Sequence, residues 1–194
     1  MKVIESYLSK SEQISILNKY NVRNIALHQQ KVAYYSLKLF DYLNKYYTFT
    51  KEHRDILYYS ALFHDIGYFI SKKSHHEHTR NLILTEPMLY KIPDDIKIII
   101  SFVASGHGKS IDFRMKIYSH KVKLKLLQLI ALLRIADALD HTHKLKISLK
   151  KIRLRNKILT LSVSGKNVDK ITNKFNRKSL LFKKVFNMHI ELES

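Results

Sequence analysis

Apolar residues recur at helical spacing through roughly the first 140 residues, and then at alternate positions over a short stretch near the C-terminus. Ser9 and Glu12 form an S-x-x-E capping signal ahead of "ISIL", which predicts a helix beginning near Ser11. Val22, Ile25, Val32, Leu39 and Leu43 predict a second helix from Val22 to about Tyr46, with His28 among them. A third runs from about Lys51 to His64, carrying Ile56, Leu57, Ala61 and Phe63, and Gly67 breaks or bends the chain just after it. His75 to Thr85 reads as a helix closed by Glu86-Pro87, because a residue before proline is pushed out of the helical region. Pro93 suits a first helical position, and "DDIKIIISFVASG" follows with aspartates where the helix dipole favours them. Another long helix covers residues 120 to 141, with a stripe through Leu124, Leu127, Ile130, Ala131 and Leu133 and with Asp137 on or near the inward face.

The period then changes. "LKISLKKIRLRNKILTLSVSG" alternates from Ile147 to Val163 about a turn at Arg155-Asn156-Lys157, which predicts a β-hairpin. "DKITNKFNRKSLLFKKVF" returns to helical spacing, and "MHIELE" supplies one more strand. The fold class expected is mostly α: a helical body over residues 1–143, followed by a small basic α/β tail over residues 144–194 packed on it. Four glycines and two prolines leave little turn punctuation, which agrees with long helices and argues against a many-stranded sandwich.

Composition narrows the setting. No cysteine is present, so disulfides and thiolate metal sites are excluded, and a reducing cytoplasm is the expected compartment. No N-terminal run resembles a signal peptide, and "LKLLQLIALLRIADAL" is interrupted by Arg134 and Asp137, so no membrane partner is expected. The chain carries 35 Lys plus Arg against 16 Asp plus Glu, and residues 144–194 alone hold 14 basic and 3 acidic residues. A field of that sign attracts polyanions: phosphate-bearing small molecules, polyphosphate or nucleic acid. A general bias toward Lys, Ile, Asn and Tyr is the plain alternative.

Against this background four residues stand out, His28, His64, Asp65 and Asp137, all within apolar helices. Each alone has an ordinary explanation; a histidine can be hydrogen-bonded in place, and Asp137 can pair with Arg134 one turn earlier. Yet Asp65 and Asp137 interrupt apolar stretches where an unpaired carboxylate is expensive to bury. A divalent cation would neutralise them, and two imidazoles with two carboxylates form a hard-to-borderline ligand set.

The order H…HD…D resembles the signature of the HD superfamily of metal-dependent phosphohydrolases. "ALFHDIGYFISKKSHHEHTRNLIL", "LIALLRIADALDHTH" and the tail "LFKKVFNMHIELE" are similar to the C-terminal HD region of the exopolyphosphatase/guanosine pentaphosphatase family, from about His28 to Glu193. The resemblance implies an all-α HD bundle with a small α/β appendage, binding one or two divalent ions (Mn, Fe, Co, Ni or Mg) through His28, His64, Asp65 and Asp137. For a second ion it implies a bridging Asp65 with His78 and His107, and His75, one turn before His78, is the alternative. With one ion, His78 and His107 would instead contact substrate phosphate. His64 and Asp65 are then catalytic, together with Lys109, which could hold a phosphate oxygen, as could Lys72, Lys73 or Arg80. His141 and His143 follow the Asp137 helix, where a helix C-terminus favours a cation.

Departures limit the transfer. About one helix precedes the similar region, so the fold carries over but not the exopolyphosphatase mechanism, which belongs mainly to other domains of that family. Ser74 stands where a glycine usually precedes the histidine cluster. Tyr68 replaces the lysine of many dinuclear HD phosphodiesterases, and Phe69-Ile70 replace the acidic pair of alarmone hydrolases. The function expected is hydrolysis of a nucleotide, alarmone or polyphosphate by metal-activated water. Two rivals stay open: a non-catalytic regulatory or phosphate-binding module that partners such an enzyme, and an RNA-binding protein using the basic tail. A homodimer is compatible with either.

Overall fold

A computed structural model describes residues 7–22, 25–108, 110–140, 143, 147–166 and 168–194. Six helices make the body: α1 (Lys10–Lys19), α2 (Ala26–Leu43), α3 (Lys51–Phe63), α4 (His75–Thr85), α5 (Asp94–Ser105) and α6 (His120–Leu139). The tail consists of β1 (Ser148–Arg155), β2 (Ile158–Ser164), α7 (Asp169–Phe186) and β3 (His189–Glu193). Among the described residues no helix is long and apolar enough to cross a membrane.

Local chemistry sets the ends. Ser9 and Glu12 close a reciprocal capping box at the start of α1. The second helix is shorter than its apolar pattern predicts, ending at Leu43 rather than near Tyr46. The backbone N–H groups of Tyr46 and Tyr47 both turn back to the Leu43 carbonyl, and Asn44 Oδ1 accepts from Phe49 N at 3.0 Å. Its start falls at Ala26, and residues 23 and 24 of the predicted stretch lie outside the described residues. Pro93 sits before α5 rather than in its first turn, extended at ψ 140°, with its carbonyl accepting from Lys97 N at 2.8 Å.

In α6 the predicted single stripe gives way to burial on nearly every side from Leu126 to Leu139, while Leu124 stays 37% exposed. The helix is enclosed because α2, α3 and α5 pack on it within the body and α7 packs along it from the tail. One apolar cluster therefore runs through both parts, joining Phe40, Tyr59, Phe63 and Leu129 to Leu159, Leu161, Phe175 and Phe182. Hydrogen bonds stitch the same seam: Tyr47 Oη donates to Phe186 O at 2.8 Å and Gln128 Nε2 to Val185 O at 3.1 Å.

The hairpin turns on Asn156 and Lys157, both at positive φ (49° and 61°), the backbone a two-residue turn needs to follow the twist of its strands. β1 pairs antiparallel with β2, from Ser148↔Ser164 to Arg155↔Ile158, with an irregularity between Leu149 and Lys151. α7 then crosses back so that β3 lies parallel to β2, giving the sheet order β1-β2-β3.

Candidate metal centre

Four helices deliver the residues singled out above. His28 lies in the first turn of α2, and His64 caps the C-terminus of α3 with Asp65 directly after it. Asp137 is in the last turn of α6, and His107 follows α5. Gly67 lies in the 3-10 turn Ile66–Phe69 that follows α3, and it admits a neighbour. A Cβ there would lie 1.9 Å from the His75 carbonyl oxygen and 2.4 Å from Thr79 N, so only glycine lets the α4 backbone come this close. Thr79 fastens the contact, accepting from Gly67 N at 3.0 Å and donating to the His64 carbonyl at 2.8 Å. α4 is thereby seated with His75, in its first turn, level with Asp65.

The imidazoles share one arrangement. Nδ1 of His64 faces Ala61 O at 2.8 Å, of His107 faces Ala104 O at 2.6 Å, of His75 faces Lys72 O at 3.1 Å, and of His28 faces Asp140 Oδ2 at 3.0 Å. Each partner is an acceptor, so each Nδ1 donates, and in the neutral ring each Nε2 is then a bare lone pair. All four Nε2 atoms converge on Asp65. His28 and His64 approach Oδ2 at 3.7 and 3.5 Å, and His75 and His107 approach Oδ1 at 3.4 and 3.3 Å. Asp137 Oδ1 is 3.7 Å from His28 Nε2, and the Nε2 atoms of His75 and His107 are 3.0 Å apart. His28 Nε2 and His64 Nε2 are buried without a hydrogen-bond partner.

Lone pairs aimed at lone pairs repel, and buried unpartnered acceptors are costly, so this donor set fits cations placed between its members. Two groups emerge: His28, His64 and Asp65, with Asp137 beside them, and Asp65, His75 and His107, each able to hold a divalent ion.

The electrostatics agree for His64, His75 and the two carboxylates. Burial pushes the His64 imidazolium down to about 3 and lowers His75 as well, leaving both neutral and able to ligate. For Asp65, burial is opposed by the neighbouring His64 and His107, and the carboxyl is held well below the usual range. Burial of Asp137 is likewise outweighed, chiefly by the Lys178 ammonium. His28 moves the other way, because its Asp140 hydrogen bond and the Asp137 and Asp65 charges overcome burial.

His78 does not join either group. Lying three residues beyond His75, it sits about 4.5 Å further along the α4 axis, beside Thr79, whose contact with Gly67 fixes that level against the His-Asp turn. Lys109 and His141 lie outside the described residues. Lys72 lines the cleft over the site, whereas Arg80 pairs with Asp112 at 3.3 Å in a neighbouring cleft. Arg134 donates to Gly106 O at 2.7 Å rather than pairing with Asp137. Asp137 instead accepts from Lys178 of α7, whose ammonium also donates to His107 O at 2.8 Å.

Further neighbours surround these residues, and of them Asp140, Lys174, Arg177 and Lys178 were not singled out by sequence. Asp140 orients His28 and is itself paired with Lys31 at 2.7 Å; its spacing of three from Asp137 was the available signal. His143, at φ 56°, stacks on His28 with ring centroids 3.8 Å apart, and Tyr68 stacks on His75 at 4.2 Å. Lys174, Arg177 and Lys178 of α7 wall a cleft of about 650 Å³ above Asp65 and Asp137. Nothing in a chain with 35 basic residues marks those three in advance.

Comparison with known proteins adds one finding. No curated protein matches the chain. The model of one family, described as Ppx/GppA phosphatase, domain III, matches residues 11–184. That span takes in the helical body, the histidine–aspartate cluster and α7, and on it the chain belongs to the Ppx/GppA phosphatase domain III family.

Proposed function

We propose that the chain is an HD-type, divalent-metal-dependent phosphohydrolase of the cytoplasm, acting on a phosphate-rich substrate such as a nucleotide, an alarmone or polyphosphate. The observation that carries this reading is the convergence of four imidazole Nε2 atoms on both oxygens of one buried carboxylate. His28, His64, Asp65 and Asp137 would hold one ion, and Asp65, His75 and His107 a second. Such ions supply Lewis-acid polarisation of a phosphoryl oxygen and a water-derived nucleophile at neutral pH. The protein's own groups supply the rest. Asp140 keeps the Nε2 of His28 free by holding its Nδ1 proton. An ammonium has three donors; Lys178 gives one to Asp137 and one to the His107 carbonyl, which leaves one for a phosphoryl oxygen at the cleft. Lys72, Lys174 and Arg177 line the same cleft and would bind further anionic groups of the substrate.

A second reading, a phosphate-holding module without turnover, is favoured by the Lys178–Asp137 pair, in which an internal cation already neutralises one of the ligating carboxylates. One experiment separates the two. The purified protein is analysed for metal and assayed against phosphoesters, nucleotides and polyphosphates with manganese, cobalt, iron or magnesium, beside Asp65→Ala. We expect metal-dependent hydrolysis in the wild type, and neither metal nor turnover in the variant. Metal retention without turnover of any substrate would select the module, and equal metal content in both proteins would remove the assignment of the site.

A further inference from the structure

A second surface, remote from the metal centre, carries its own chemistry. A groove of about 400 Å³ runs between α2 and β1, an edge strand of the sheet, lined by Lys38, Asp41, Tyr42, Lys45, Lys150 and Lys151 among others. Its one carboxylate is already taken, because Arg54 bonds both oxygens of Asp41 at 2.7 and 2.9 Å. None of the four lysines has an ion-pair partner among the described residues. Aromatic rings alternate with these cations: the Lys38 ammonium lies 4.8 Å from the centre of the Tyr34 ring, and that of Lys45 lies 5.4 Å from Tyr42. Tyr42 meets Tyr46 at 6.1 Å, and Tyr46 is 56% exposed. Lys38 begins this face ten residues beyond His28, about 15 Å along α2, so a ligand here need not touch the metal site.

We propose that this groove binds single-stranded nucleic acid, with Lys38, Lys45, Lys150 and Lys151 on phosphates and the exposed Tyr46 ring as a stacking platform. Cations without a close ion-pair partner, interleaved with aromatic rings, match a chain that repeats an anion and a flat apolar base. An acidic peptide would use only the cations. The face from Lys38 to Lys45 is about 10 Å long, and Lys150 and Lys151 lie across the groove from it.

The test uses the whole chain and a short fluorescein-labelled oligouridylate, read by fluorescence anisotropy. With four phosphate contacts, the slope of log affinity against log salt should be about −3, falling to about −1.4 in Lys150→Gln/Lys151→Gln. Tyr46→Ala should weaken binding at least about fivefold at every salt concentration. All of these side chains are on the surface, and thermal unfolding checks that the variants fold. Asp65→Ala should bind like the wild type, which keeps this result separate from the fate of the phosphohydrolase reading. Loss of binding in Lys174→Gln/Arg177→Gln, with the groove variants unaffected, would move the interaction to the cleft and overturn the proposal. So would equal affinity for polyglutamate or for phosphatidylserine vesicles combined with an inert Tyr46→Ala.

Discussion

Replacing Gly67 by alanine should separate the two halves of the candidate metal centre. The new methyl would sit 1.9 Å from the His75 carbonyl oxygen, 2.4 Å from Thr79 N and 2.8 Å from Thr79 Oγ1. The first of these is roughly 1.5 Å short of an ordinary contact, and two of the three obstacles are helix backbone, which cannot rotate away. α4 therefore has to back off as a body. Overpacking of this kind costs about 1–3 kcal/mol. Withdrawal also lengthens the Gly67–Thr79 and Thr79–His64 hydrogen bonds, about 1 kcal/mol each. A total loss of about 3–5 kcal/mol is expected by urea denaturation. Because His75 rides on α4 while His28 and His64 do not, manganese titration of the folded variant should lose the binding event that involves His75. The event at His28, His64 and Asp65 should remain. Unchanged stability, or parallel weakening of both events, would refute the argument that Gly67 acts by seating α4.

Other perturbations test other links. Asp140→Asn should weaken metal binding about 10–100-fold without unfolding the protein, since Asp140 orients His28 and its other side-chain partner is the half-buried Lys31; isothermal titration with manganese reads it, and unchanged affinity would reject that role. His75→Ala should remove the second binding event and His78→Ala should not; the opposite pattern would restore the spacing expected from sequence. Glu86 is buried, and its carboxyl is lowered because the hydrogen bonds from Lys19 and Tyr20 outweigh burial. Its contribution is therefore present above the ordinary carboxylate pKa of about 4.3 and lost as pH falls through the lowered folded value. Glu86→Gln should cost about 1–3 kcal/mol at pH 7 and less in acid, and an equal loss at both pH values by denaturant titration would contradict the linkage.

Sequence by itself determined the parts that depend on neighbours along the chain. Helical and alternating periods come from side chains a few residues apart, so the six-helix body, the hairpin at Asn156-Lys157 and the return to helix in α7 were legible. So was the chemistry of His28, His64, Asp65 and Asp137, because a charged group inside an apolar run is conspicuous wherever the run folds. What tertiary structure alone decided are distances between elements. Whether His75 or His78 faces Asp65 depends on how closely α4 lies against Gly67, a sub-turn shift that periodicity cannot encode. The basic tail read only as a diffuse field that attracts polyanions. The fold divides that charge, keeping Lys150, Lys151, Arg153 and Arg155 on β1 of the expected hairpin and bringing Lys174, Arg177 and Lys178 to the cleft. Lysines look alike along a chain with 35 basic residues. Only packing of α7 on α6 places one of them, Lys178, against Asp137 across 41 positions of sequence.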